Sequence, residues 1–149
     1  MGWLVTIHVL AAVLGIGPTY FGHILLRKNQ SREQLLDSLA LFGRLNYFPK
    51  IGGTLAVVSG ILLVALTGWE FSDLWIVASL GVYVIIQVMV VGMLGRILSR
   101  LAQSLSAVSE REMVVQADSS VLLAQANRVY YTVSVLGLVL ILLMVLKPM

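Results

Sequence analysis

Four long apolar stretches organise the chain, at residues 3–26, 51–68, 74–97 and 129–146, and the charged residues fall between them or at their edges. A helix rising ~1.5 Å per residue needs roughly 20 apolar residues to cross the hydrocarbon of a bilayer. At that depth every backbone N–H and C=O must be bonded within its own segment, so each stretch predicts a helix. Together they predict an all-α, four-transmembrane-helix bundle forming a single membrane domain over residues 1–149. Trp69 follows the second stretch, and Trp3, Trp75, Tyr130 and Tyr131 stand at the ends of the others, where aromatic rings anchor at the membrane interface.

The connecting segments carry their own patterns. Ser31-Arg-Glu-Gln34 is a capping box: the serine hydroxyl accepts from the Gln34 N–H and the glutamine side chain reaches back. Leu35, Leu36, Leu39 and Phe42 then recur at helical spacing, which predicts a short amphipathic interfacial helix over 31–43, between spans one and two. Pro49 suits the first turn of the second span. From Ser99 to Arg128 there is no Gly or Pro, so spans three and four are expected to continue as antiparallel helical extensions, turning near Ser109–Arg111. Leu101, Leu105, Val108, Val114, Val121 and Leu122 give those extensions an apolar stripe, expected to pack on the 31–43 helix or on a partner protein.

Composition confirms the solvent. The chain is 59% hydrophobic and 11% charged with a mean hydropathy of +0.97, which leaves too little polar material for a water-facing shell. Basic residues cluster in two connections: Arg27, Lys28, Arg32, Arg44 and Lys50 in one, Arg100, Arg111 and Arg128 in the other, against only Glu70 and Asp73 in the third. The positive-inside rule places both long basic connections in the cytoplasm and both termini outside, with Lys147 outvoted. The same rule reads the pI of about 9.5 as topology and lipid contact, with no nucleic-acid partner. The first span lacks a preceding Lys or Arg and a small-x-small cleavage site, so it is read as retained.

Absences narrow the chemistry. With no cysteine, thiolate metal sites, iron–sulfur clusters and covalent c-type haem are excluded. The span interiors hold no Asp, Glu or Lys, which weakens a proton-coupled carrier. Two histidines, His8 and His23, both lie on the first span. Ala11, Gly15 and Gly22 share a seam with His8, so that side chain is expected to face the bundle, as a cofactor or metal ligand or as a donor to a backbone carbonyl. Gly53, Gly60 and Gly137 supply small residues on other spans, and Pro18 is expected to kink the first. Fifteen residues, about 22 Å of helix, separate the histidines, so one metal cannot take both. Met144 lies level with His8, and Met89 and Met93 with His23, as His/Met axial candidates or plain packing. A symmetric homodimer would also bring two copies of His8 to one depth. Gln87, Ser59, Ser79, Thr132 and Ser134 read most simply as interhelical hydrogen bonding.

The run Leu4-Val-Thr-Ile-His8-Val-Leu-Ala-Ala-Val-Leu-Gly15-Ile-Gly17, with Pro49…Gly60-Ile-Leu-Leu-Val…Gly68-Trp69…Leu74-Trp75, resembles an uncharacterised bacterial family of four-span integral membrane proteins. More distantly it is similar to copper-resistance D-like membrane domains and to four-helix haem-dependent protoporphyrinogen oxidases. The resemblance implies the cell (inner) membrane, and haem b or a metal held by His8. The chain has no clear Lys in its third span, unlike those oxidases, so enzymatic activity stays open. The expected function is a small haem-binding membrane protein for electron transfer, haem handling or oxidase-type chemistry. The alternative is a cofactor-free scaffold or accessory subunit acting on a membrane partner protein through its cytoplasmic helices.

Overall fold

A computed structural model describes residues 2–106 and 112–146, the side chains of 112–118 excepted. The described residues are helical with short connections and no strand. Helix α1 spans Gly2–Leu25, α2 Arg32–Leu45, α3 Tyr47–Thr67 and α4 Leu74–Gln87. A π-helical stretch, Val88–Leu94, joins α4 to α5, Gly95–Ser106, and α6 spans Glu112–Leu146. Four runs are long and apolar enough to cross a membrane: Gly2–Leu25, Arg32–Thr67, Leu74–Ser106 and Ser119–Leu146.

The boundaries differ from the hydropathy reading where a helix outruns its apolar part. The second span begins at Tyr47, because Asn46 keeps a right-handed helical conformation and passes the chain from α2 to α3 with almost no break. Pro49 still falls in the first turn of α3, where its missing N–H costs nothing. The helix stops at Gly68, whose φ of 72° is the left-handed cap that a glycine takes without strain. Helix α1 runs unbroken through Pro18, which leaves the Leu14 carbonyl without its usual i+4 donor.

At 35 residues α6 is about 52 Å long, well beyond the hydrocarbon thickness. Together with α5 it forms the expected extensions; the turn near Ser109–Arg111, and with it Val108, lies outside the described residues, as does the side chain of Val114. The apolar stripe packs on α2, as expected: Leu26, Leu35, Leu94, Leu101, Leu105, Leu123, Ala126 and Val129 form one buried cluster, joined by Leu36, Leu39 and Phe42. Val121 is exposed and Leu123 takes its place in the core. The capping box at Ser31 and Gln34 is formed in both directions. Arg32 donates from Nε and Nη2 to the Leu105 carbonyl, 2.8 and 2.6 Å, which satisfies an orphan acceptor at the end of α5. Asn127 does the same for α1 through the Leu26 carbonyl, at 2.7 Å.

Around the interior the long helices follow the order α3, α1, α6, α4, each packed on the next. Between α3 and α4 no pair of Cα atoms comes within 8 Å, and side chains of α4 bridge the wider separation to Gly53 of α3. The tightest seam is α1 on α3. A Cβ built on Gly52 would lie 2.5 Å from the Gly15 nitrogen and 2.8 Å from the Ala11 carbonyl, so only glycine permits this approach.

Candidate functional site

The small-residue seam turns His8 inward, as its spacing predicts. Its Nδ1 lies 2.9 Å from the Ala56 carbonyl and 3.1 Å from Ser59 Oγ, both on α3. A carbonyl can only accept, so Nδ1 carries the proton. Ser59 Oγ donates back to the Leu55 carbonyl at 2.6 Å, which leaves it as a second acceptor for the same N–H. In the neutral imidazole Nε2 is then a bare lone pair, and it has no hydrogen-bond partner among the described residues. Gly60 makes room for the ring: a Cβ there would sit 3.1 Å from His8 Cε1.

His8 stands on the wall of a partly open cavity of about 640 Å³ lined mainly by α1, α3, α4 and α6. That volume lies in the range of small-molecule and cofactor pockets. The wall is apolar over most of its extent, running from Asn46 and Lys50 at the α2 end to Trp69 and Trp75 at the other. Met144 of α6 lines the same cavity. Helix α6 passes α1 antiparallel, with Ile16 against Gly137. His8 lies eight residues from that crossing on α1, and Met144 seven residues from it on α6. Met89 and Met93 do not line this cavity: Met89 packs against the leucine cluster that includes Tyr130, and Met93 is exposed.

His23 occupies a different setting. Its Nε2 pairs with Ser134 Oγ at 2.9 Å. Tyr130 meets the ring edge-on at 5.0 Å between centroids, and Tyr131 lies at 4.6 Å. Its Nδ1 is buried without a partner, and the residue does not line the cavity. Gly22, one residue before it, is where the Tyr130 phenol crosses α1, so a side chain there would land on the ring. The two histidines sit on one continuous helix in separate environments, so they do not converge on one ion. Among the described residues no three His, Cys, Asp or Glu side chains gather into a metal-binding group.

Of the other polar residues, Ser59 and Ser134 bond across helices to the histidines, and Thr132 returns to its own Arg128 carbonyl. Ser79 is buried without a partner, and Gln87 makes no hydrogen bond among the described residues. Tyr83, not singled out by composition or motif, brings its Oη into the cavity beside Gly53. Its signal was available in the spacing Ser79, Tyr83, Gln87, one polar tip per turn on an otherwise apolar helix.

A family model described as "Predicted integral membrane protein (DUF2269)" matches residues 3–148, and the chain belongs to this family. Neither a curated protein nor a solved structure matches the chain.

Proposed function

We propose that this integral membrane protein binds haem b through His8 and uses it for electron transfer, haem handling or oxidase-type chemistry within the bilayer. The observation that carries the reading is the state of the His8 ring: Nδ1–H is held by the Ala56 carbonyl, and Nε2 is left as a lone pair at the cavity wall. That is the arrangement in which protein histidines ligate metals, with the far nitrogen fixing tautomer and orientation and raising ligand basicity. A bare ion would need several protein ligands, which the described residues do not gather. A porphyrin brings four nitrogens of its own and asks the chain for only one or two axial ligands. Met144, level with His8 on the same wall, is the residue that would serve as the second. When bound, the haem supplies a one-electron centre whose potential depends on axial ligand and burial. His8 would hold it, Ser59 and Ala56 would fix the ring, and the apolar wall would exclude water.

The same reading puts the α2 end in the cytoplasm of a cell membrane and both termini outside, supported by the basic connections at that end. The scaffold alternative loses ground, because α2 already covers the apolar stripe of α5 and α6 that a partner would have used. Co-purified haem tests the proposal. Wild-type protein made with ample haem precursor should carry haem, His8→Ala should lose it and His23→Ala should keep most of it. Equal haem in His8→Ala and wild type would remove His8 as the ligand.

A further inference from the structure

Helix α4 carries a second set of groups that haem on His8 leaves unused. Ser79, Tyr83 and Gln87 recur at i, i+4 and i+8, share one helix face and all line the cavity. Serine and threonine in these spans normally return their proton to the carbonyl one turn back, as Ser59 and Thr132 do. Ser79 does not: it is 4% exposed and its Oγ has no partner. Tyr83 and Gln87 likewise make no hydrogen bond among the described residues. Their tips meet between α4 and α3, the neighbouring helices whose backbones stand furthest apart. A Cβ on Gly53 of α3 would lie 3.1 Å from Tyr83 Oη and 3.7 Å from Gln87 Nε2, so the glycine is what lets the two donor tips converge against α3. Three unpaired polar groups aligned in hydrocarbon are costly unless something with acceptor oxygens joins them.

The chemistry of that ligand follows from the wall. Tyr83 O–H, Gln87 N–H₂ and Ser79 O–H are all neutral donors, which suits an uncharged acceptor such as a carbonyl. Lys50 at the rim is the one Lys, Arg, Asp or Glu among the described residues lining the cavity. Helices α3 and α4 are the neighbours with no Cα pair within 8 Å, so a ligand arriving by lateral diffusion would enter between them and leave an apolar tail in lipid. Donors sit at two levels, with Ser79 about one helical turn from Tyr83, which favours a compact ring bearing an oxygen at each end over a single ester. Gln87 also abuts the π-helical stretch Val88–Leu94, a backbone irregularity frequent at functional sites. We propose that Ser79, Tyr83 and Gln87, gathered beside Gly53, form a binding site for the head group of a lipid-soluble quinone. The site stands on α4 and α3 and does not require haem on His8.

Quinones quench tryptophan emission, and Trp75 lies one turn from Ser79 on the cavity wall. Full-length protein in nanodiscs, with and without haem, is titrated with decylubiquinone and separately with a short-chain diacylglycerol in competition. Saturable quenching is expected in wild type and in His8→Ala alike, so loss of haem and loss of quinone binding are separate outcomes. Tyr83→Phe, which removes only a hydroxyl, should weaken binding about tenfold, as for one lost hydrogen bond in a dry site. Gln87→Leu should do the same, and Gly53→Leu should abolish binding by driving the Tyr83 and Gln87 tips apart. Linear, unsaturable quenching equal in wild type and Tyr83→Phe would overturn the site. Displacement by diacylglycerol as effective as by quinone would overturn the quinone assignment in favour of a membrane lipid.

Discussion

Substituting Gly52 by alanine should loosen the bundle and release His8 at once. The added Cβ would lie 2.5 Å from the Gly15 nitrogen, 2.7 Å from its Cα and 2.8 Å from the Ala11 carbonyl. All three are backbone atoms, so no side chain can swing away. Comfortable separation is about 3.5 Å, and α1 and α3 must therefore part by about 1 Å at this crossing. Overpacking of this kind costs about 1–3 kcal/mol. Ala56 is one turn along α3, so the same displacement stretches the 2.9 Å His8–Ala56 contact beyond bonding range. That loss adds about 1 kcal/mol. A total of roughly 2–4 kcal/mol is expected, read by equilibrium unfolding in mixed micelles. Gly81→Ala is the control, because a Cβ there meets nothing within 4 Å. If Gly52→Ala unfolds within about 0.5 kcal/mol of Gly81→Ala, the α1–α3 seam does not have the tightness argued for it.

Two further outcomes are expected. Leu101→Ala should destabilise the α2–α5–α6 cluster by about 2–5 kcal/mol and raise amide exchange in 32–45 and 95–106, since this leucine is 0% exposed; rapid exchange over those residues in the wild type would contradict the packing. A cysteine placed at Ser31 in the cysteine-free chain should resist an impermeant maleimide applied to intact cells and react once the membrane is opened, and labelling from outside would reverse the orientation.

Local chemistry made parts of this structure legible from the chain. The Ser31–Gln34 box needs only neighbours in sequence, and it formed as read. His8 was legible because small residues on a membrane helix mark the side that faces another helix. Register between helices was less so. Gly53 and Gly60 read as close-approach positions, and both stand against α1, Gly53 through its backbone nitrogen and Gly60 beneath the His8 ring. Gly52, whose own Cβ would strike α1, escapes that reading, and the open face of Gly53 turns to Tyr83 on α4. Adjacent residues on a helix point about 100° apart, and sequence alone does not set that rotation. The start of α3 at Tyr47 was hidden because hydropathy registers apolar length and misses a helix entering through polar residues. The π stretch was invisible for a related reason: Val88–Leu94 is uniformly apolar and fits either helix equally well. Tyr83 escaped notice because a tyrosine in an apolar span reads as packing until its hydroxyl is seen without a partner across from Gly53.

The central claim is that His8 presents a lone pair on Nε2 to a haem in the cavity, and replacing the side chain by a free imidazole tests it most directly. His8→Gly removes the ligand while leaving Ala56, Ser59 and the apolar wall in place. Purified with haem supplied, the variant should lack the wild-type Soret band, and millimolar imidazole should restore it with the wild-type charge-transfer signature in the near-infrared. Haem retained by His8→Gly without imidazole, or a wild type that takes up no haem under the same conditions, would contradict the claim.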